Sequence, residues 1–159
     1  MRANISDDHY GAWFAFWMMV GDVDNENNGS KDGIEIDILE TIPNESGKYQ
    51  HNLHWDGYGD AHKSYYPKRV KNFNVYDGQY HTFGLLRNEE GYTFYIDGEM
   101  SAFVSAQNCT PCPEKGHLLL SCEAAEWSGA GSAQSISALP AEIKVDYVRV
   151  YEDLPFWIG

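Results

Sequence analysis

The chain has 159 residues, enough for one domain with a buried core, and a single domain over 1–159 is expected. Its net charge of −13 argues against nucleic acid or an anionic membrane as partner and disfavours polyanionic substrates, so a neutral polymer fits better. Aromatic residues make up 14% of it, which suits sheets and sugar-stacking surfaces, and no apolar run approaches the length of a membrane span.

Residues 1–8 are polar and carry no signal-peptide pattern. Glycine and Asn/Asp clusters then separate short apolar runs with no helical period, which reads as all-β. Residues 13–20, W-F-A-F-W-M-M-V, form a strand apolar on both faces. Trp13, Ala15, Trp17 and Met19 share one side; Phe14, Phe16, Met18 and Val20 share the other. One side should be core between two sheets, and the pattern leaves open whether the two tryptophans are core or groove. Residues 21–31 alternate Asp and Asn but lack the EF-hand positions, so they read as a solvated loop.

Residues 32–41 read D-G-I-E-I-D-I-L-E-T. Ile34, Ile36 and Ile38 give an apolar face, and Glu35 and Asp37 share the opposite one. Glu40 has the wrong parity. A regular strand would drive it into the apolar side, where an unpaired carboxylate is very costly. One extra residue, a β-bulge near Ile38–Leu39, returns it to the acidic face. Like charges side by side repel, so folding alone does not select this arrangement. A site that needs carboxyls in different protonation states does. The alternative is an edge strand with a solvated acidic face.

A turn leads to a strand over 49–55, Y-Q-H-N-L-H-W, with Asn52 and His54 on one face and His51, Leu53 and Trp55 on the other. His62 and Lys63 follow in a loop, and the sequence leaves open whether they reach the face of Asn52 and His54. Residues 77–87 form a turn and strand, 88–91 a hairpin turn, and 92–98 the partner strand ending in Asp-Gly. Cys109 and Cys112 form a lone C-x-x-C without the second pair a zinc site needs, so free thiols or a local disulfide are expected, with Cys122 a small buried residue. Residues 118–124 are a strand with Ser121 and Glu123 on one face and Trp127 in the loop beyond; Glu123 reads either as an exposed carboxylate or as an acceptor for sugar hydroxyls. Residues 142–151 alternate cleanly as a last strand.

The motifs together resemble glycoside hydrolase family 16. Glu35-x-Asp37-x-x-Glu40 is similar to the bulged active-site strand of laminarinases, agarases and carrageenases. The match continues through G-x-W-x-A-F-W from Gly11, N-x-H-W-D-G from Asn52, H-T-F…F-Y-x-D-G from His81, and V-D-Y-V-R-V-Y to Tyr151, with Arg87 where the family often has Trp. The resemblance implies a jelly-roll β-sandwich of two antiparallel sheets, concanavalin A-like, lacking the family's N-terminal strands. It implies an extracellular retaining β-glucanase, with Glu35 as nucleophile, Glu40 as acid/base and Asp37 as their electrostatic partner. Hydrolysis of β-1,3 or mixed β-1,3/1,4 glucan is expected, with a non-catalytic glucan-binding module or a related hydrolase such as an agarase as alternatives. Trp13, Trp17, Asn52, His54, Trp55, Glu123 and Trp127 are expected at the substrate. No cofactor is required for the chemistry. A structural calcium at Asp146 is implied weakly, beside an Asp146 paired to Arg149 or solvated. Missing sheet neighbours imply open edges and self-association.

Overall fold

The computed structural model describes residues 1–5, 11–42, 48–67, 74–124, 136–137 and 139–152. Its strands are β1 (Arg2–Ile5), β2 (Trp13–Gly21), β3 (Gly33–Thr41), β4 (Tyr49–Trp55), β5 (Lys63–Tyr65), β6 (His81–Asn88), β7 (Gly91–Ile96), β8 (Glu99–Ser105), β9 (Gly116–Glu123) and β10 (Ile143–Tyr147). They form two five-stranded sheets, ordered β10-β1-β6-β7-β8 and β5-β4-β3-β2-β9, with every pairing antiparallel. This is the all-β architecture that the alternating pattern leads one to expect, in the jelly-roll sandwich form that the family resemblance implies. Two short strands were not read from sequence: β8, which completes the 91–105 meander, and β5, which takes up Lys63 from the expected loop.

Alternation places the core. Phe14, Phe16, Val20, Ile34, Ile36, Leu39 and Leu53 come from one sheet; Ala3, Ile5, Phe83, Phe94, Ile96 and Val104 come from the other. Burial of these side chains, at roughly 1.5–3 kcal/mol for each large one, is the main force holding the sheets together. The β2–β3 register is pinned where their loop begins and ends. Gly21 and Gly33 face each other there, and a Cβ on Gly21 would lie 1.9 Å from the Asp32 carbonyl oxygen. Only glycine fits, and Gly21 also has φ +62.

Coverage is uneven. On β9, Leu118, Leu120 and Cys122 stand opposite the core-facing Met18, Phe16 and Phe14, yet Leu120 is 52% exposed and Cys122 is exposed too. The expectation that Cys122 is buried is corrected: its strand points it inward, but nothing among the described residues closes over it. On β10, Val145 pairs with the buried Ala3 and is itself 39% exposed. Among the described residues the sandwich is thus open between β9 and β10. Cys109 and Cys112 are free thiols buried in the core. Among the described residues no helix is long and apolar enough to cross a membrane.

Candidate active site

The site is built on β3. Opposite Glu35, Asp37 and Glu40 the neighbouring strand β4 places His54, Asn52 and Gln50; on the other side β2 places Met19, Trp17 and Ala15. Directly opposed residues share a sheet face, so all three carboxylates and their β4 partners line one surface. The bulge is where parity requires it. Between the Asp37–Asn52 and Glu40–Gln50 pairs, Ile38 and Leu39 oppose the single residue His51. Ile38 and Leu39 are both in the core, and Glu40 is thereby kept out of it.

Glu40 is 7% exposed, with Oε1 accepting the Trp13 indole N–H at 2.9 Å and Oε2 accepting Gln50 Nε2–H at 2.7 Å. Burial raises its pKa; the Gln50 and Trp13 bonds oppose that rise, Glu35 adds to it, and the net direction is up. Asp37 is 4% exposed, and its Oδ2 has no hydrogen-bond partner. Burial first, then the charges of Glu40 and Glu35, hold its pKa well above the usual carboxylate range. The surroundings of Asp37 therefore oppose its ionisation. Glu35 is half-buried, and its Oε2 accepts the Tyr58 hydroxyl. Burial raises its pKa, with the Tyr58 bond pulling the other way. Tyr58 is itself pushed up by burial and by Glu35, so it stays a donor.

Asn52 fixes the state of His54. Its Oδ1 accepts the Leu53 N–H at 2.9 Å, which turns its amide nitrogen toward His54 Nε2. An amide nitrogen only donates, so His54 Nε2 presents a lone pair and Nδ1 carries the proton, donated to His62 Nε2 at 2.8 Å. Burial and His62 lower the His54 pKa to about 4, so the ring is neutral at neutral pH. His54 Nε2 lies 3.6 Å from Asp37 Oδ2 and 4.0 Å from Glu35 Oε1. These three side chains have a donor set suited to a divalent cation, each offering an atom within 4.8 Å of the others. The His54 lone pair is already engaged by Asn52.

Not every expected residue joins this surface. Trp13 and Trp17 do: the first holds Glu40, and the second donates its indole N–H to Ser121 Oγ at 3.2 Å. Asn52 and His54 sit opposite Asp37 and Glu35, and Glu123 stands exposed opposite Trp13 on β9. Trp55 shares the parity of His51 and Leu53, as expected, and packs partly buried against the core. Trp127 lies outside the described residues. Asp146, the expected calcium ligand, pairs with Arg2 at 2.6 Å, and among the described residues no metal-ligating group of three or more includes it. Its partner is Arg2 on β1 because β1 and β10 are neighbours, a register invisible in the sequence.

Gln50, Tyr58 and His51 were missed as site residues, and His62, left undecided by the sequence, joins the site through His54. Gln50 was findable, since it continues the alternation of Asn52 and His54. The D-G-Y-G turn gave no sign that Tyr58 folds back over Glu35. His51 shares the face of Leu53, as read, and lies buried with both ring nitrogens bonded. Its Nδ1–H donates to the Ile38 carbonyl at 2.6 Å, its Nε2 accepts the Ser101 hydroxyl at 2.8 Å, and its ring stacks on Phe94 at 4.6 Å.

Residues 1–149 match Glycosyl hydrolases family 16. The chain is 24% identical over 158 residues to glucan endo-1,3-beta-glucosidase A1 of Niallia circulans, covering 90% of this chain and 22% of that protein. It is 29% identical over 148 residues to the clotting factor G alpha subunit of Tachypleus tridentatus, covering 90% and 21%. Its fold is similar to a Bacteroides ovatus mixed-linkage glucan family 16 protein solved in complex with a G4G4G3G product, with TM-score 0.62, 24% identity, and 89% and 62% of the two chains covered. The chain thus spans about a fifth of these two curated relatives and less than two thirds of the solved one. A match over almost all of its length, on a jelly roll with the acidic strand at its centre, makes this chain a member of glycosyl hydrolases family 16.

Proposed function

We propose that this chain carries the catalytic face of an endo-acting, retaining β-glucanase that cleaves β-1,3 or mixed β-1,3/1,4 glucan. The observation behind the reading is the bulge, which gathers Glu35, Asp37 and Glu40 on one face at the expense of regular strand pairing. In the first step a Glu35 oxygen attacks the anomeric carbon, the C–O bond to the leaving sugar breaks, and Glu40 gives its proton to the departing oxygen. In the second step Glu40 takes a proton from water, whose oxygen attacks the same carbon and releases Glu35. Asp37, keeping a proton between the two glutamates, lets Glu35 stay ionised, and the Tyr58 hydroxyl holds Glu35 in place. Trp17 offers an aromatic face to a pyranose ring, and Asn52, His54 and Glu123 offer polar contacts to its hydroxyls. The chemistry needs no cofactor. A polymeric glucan would be met outside the cell.

The test is a panel of laminarin, lichenan, agarose and xyloglucan, followed by new reducing ends and by NMR of the first-formed anomer. New β-anomer ends from laminarin or lichenan support the reading. Ends from agarose alone would move the specificity, and tight glucan binding with no new ends would make the chain a binding module.

A further inference from the structure

A bulge leaves backbone groups without ladder partners, and this one lies in the core. The Ile38 carbonyl, left unpaired there, would cost roughly 1–3 kcal/mol. The residue that meets it is His51, which stands directly opposite the extra residue on β4 and turns its ring inward. A carbonyl only accepts, so His51 Nδ1 carries the proton, and Nε2 must accept from Ser101 on β8 of the opposite sheet. The imidazole thus spans the sandwich, with Phe94 of β7 stacked on it. From the β2 side, Thr41 Oγ1 accepts the Phe14 N–H at 2.9 Å, immediately after Glu40. The backbone bearing Glu40 is held on both flanks.

We propose that His51 is a positioning residue for the acid/base: by capping the bulge carbonyl and anchoring it to the opposite sheet, it keeps Glu40 on the cleft face. The inference deepens the catalytic reading above and, in its activity arm, rests on it. Without the cap the bulge can migrate or straighten, and each such change turns Glu40 away from the leaving oxygen. A misplacement on the order of 1 Å costs about 10²-fold in rate. The loss is selective. Glu35 precedes the bulge and is set by its pairs with Met19 and His54, so attack at the anomeric carbon survives.

Two readouts separate this role from general loosening of the core. The first does not involve activity. The Trp13 indole N–H bonds Glu40 Oε1, so its NMR resonance, assigned with Trp13→Phe, reports where Glu40 stands. It should move in His51→Phe, which keeps the stacking ring and loses both bonds. It should stay in His51→Asn, whose amide nitrogen falls near Nδ1 and keeps the donor to Ile38. Should His51→Phe not fold, His51→Gln takes its place, reaching Ser101 without capping Ile38. The second readout is kcat/KM by leaving group. His51→Phe should lose about 10²-fold on laminarin but stay within about threefold on a 2,4-dinitrophenyl β-glucan oligosaccharide, whose departure needs no acid. His51→Asn should recover most of the laminarin rate. An indole resonance unchanged in the folded Phe or Gln variant overturns the proposal, as does an equal loss on both substrates. A moved resonance in a chain whose wild type cleaves neither substrate leaves the positioning intact and sinks the catalytic reading instead.

Discussion

The centre of the β5-β4-β3-β2-β9 sheet and its β9 edge each point apolar side chains inward by alternation, yet end in opposite states. On β3 and β4 even polar groups are buried: Asp37 and Glu40 are nearly inaccessible, Glu40 is bonded at both carboxylate oxygens and His51 at both nitrogens. On β9 the leucines that alternation points inward are exposed, Leu120 by 52%. Alternation decides which way a side chain points. Whether anything covers it depends on the neighbour across the sandwich. The centre also bears a cost that the edge does not, since three carboxylates with raised pKa values crowd one face. Such crowding is characteristic of sites selected for chemistry.

The largest effects should come from the centre. Glu35→Ala and Glu40→Ala are each expected to lower laminarin hydrolysis by about 10⁴-fold or more while the protein stays folded. They should differ with azide. Glu35→Ala should give the inverted α-glycosyl azide, and Glu40→Ala, on a substrate with a good leaving group, the β-azide. The opposite anomers by NMR would exchange the two roles. Asp37→Asn should also lose activity, yet melt no lower than wild type, because a neutral amide carries none of the burial and like-charge cost that pushes the Asp37 pKa up. A melting point several degrees lower would make Asp37 structural instead.

Next comes pH, where two histidines act with opposite sign. Burial lowers the His51 pKa to about 4, below its unfolded value of about 6.5. Its contribution is therefore full above pH 6.5 and lost as pH falls toward 4, on the order of 3 kcal/mol. Urea melts at pH 7.5 and 4.5 should show wild type losing more than His51→Asn; equal losses would remove His51 as the cause. On the other sheet, His81 bonds Asp97 at 2.7 Å and Asp77 at 3.0 Å. Burial pushes its pKa down, but the Asp97 and Asp77 bonds outweigh it and the net direction is up. Its contribution is full below pH 6.5 and lost as pH rises through the raised value, so His81→Gln should be most destabilising in mildly acidic solution. A constant difference across pH would count against the pairing.

The smallest effect belongs to the edge. Leu120→Lys should change unfolding free energy by no more than about 0.5 kcal/mol, since the side chain is already half in water. A loss above about 1.5 kcal/mol, or a change in sedimentation, would mean that this face is covered in solution and that edge and centre are less different than they look.

By itself the sequence determined direction and order. The alternation around Ile34, Ile36 and Ile38 put Glu35 and Asp37 on one face, and the wrong parity of Glu40 demanded the bulge that β3 contains. The strand over 49–55 was legible to the residue because turn signals bound it on both sides. Partnership was left to the tertiary structure. His51 and Ser101 are fifty positions apart and meet only because two sheets face each other. Tyr58 reaches Glu35 because its turn folds back over the strand. Cys122 was misjudged for this reason. A side chain's parity is set by its own strand, whereas its burial is set by whatever lies across from it, and that is a non-local fact with no trace in local spacing.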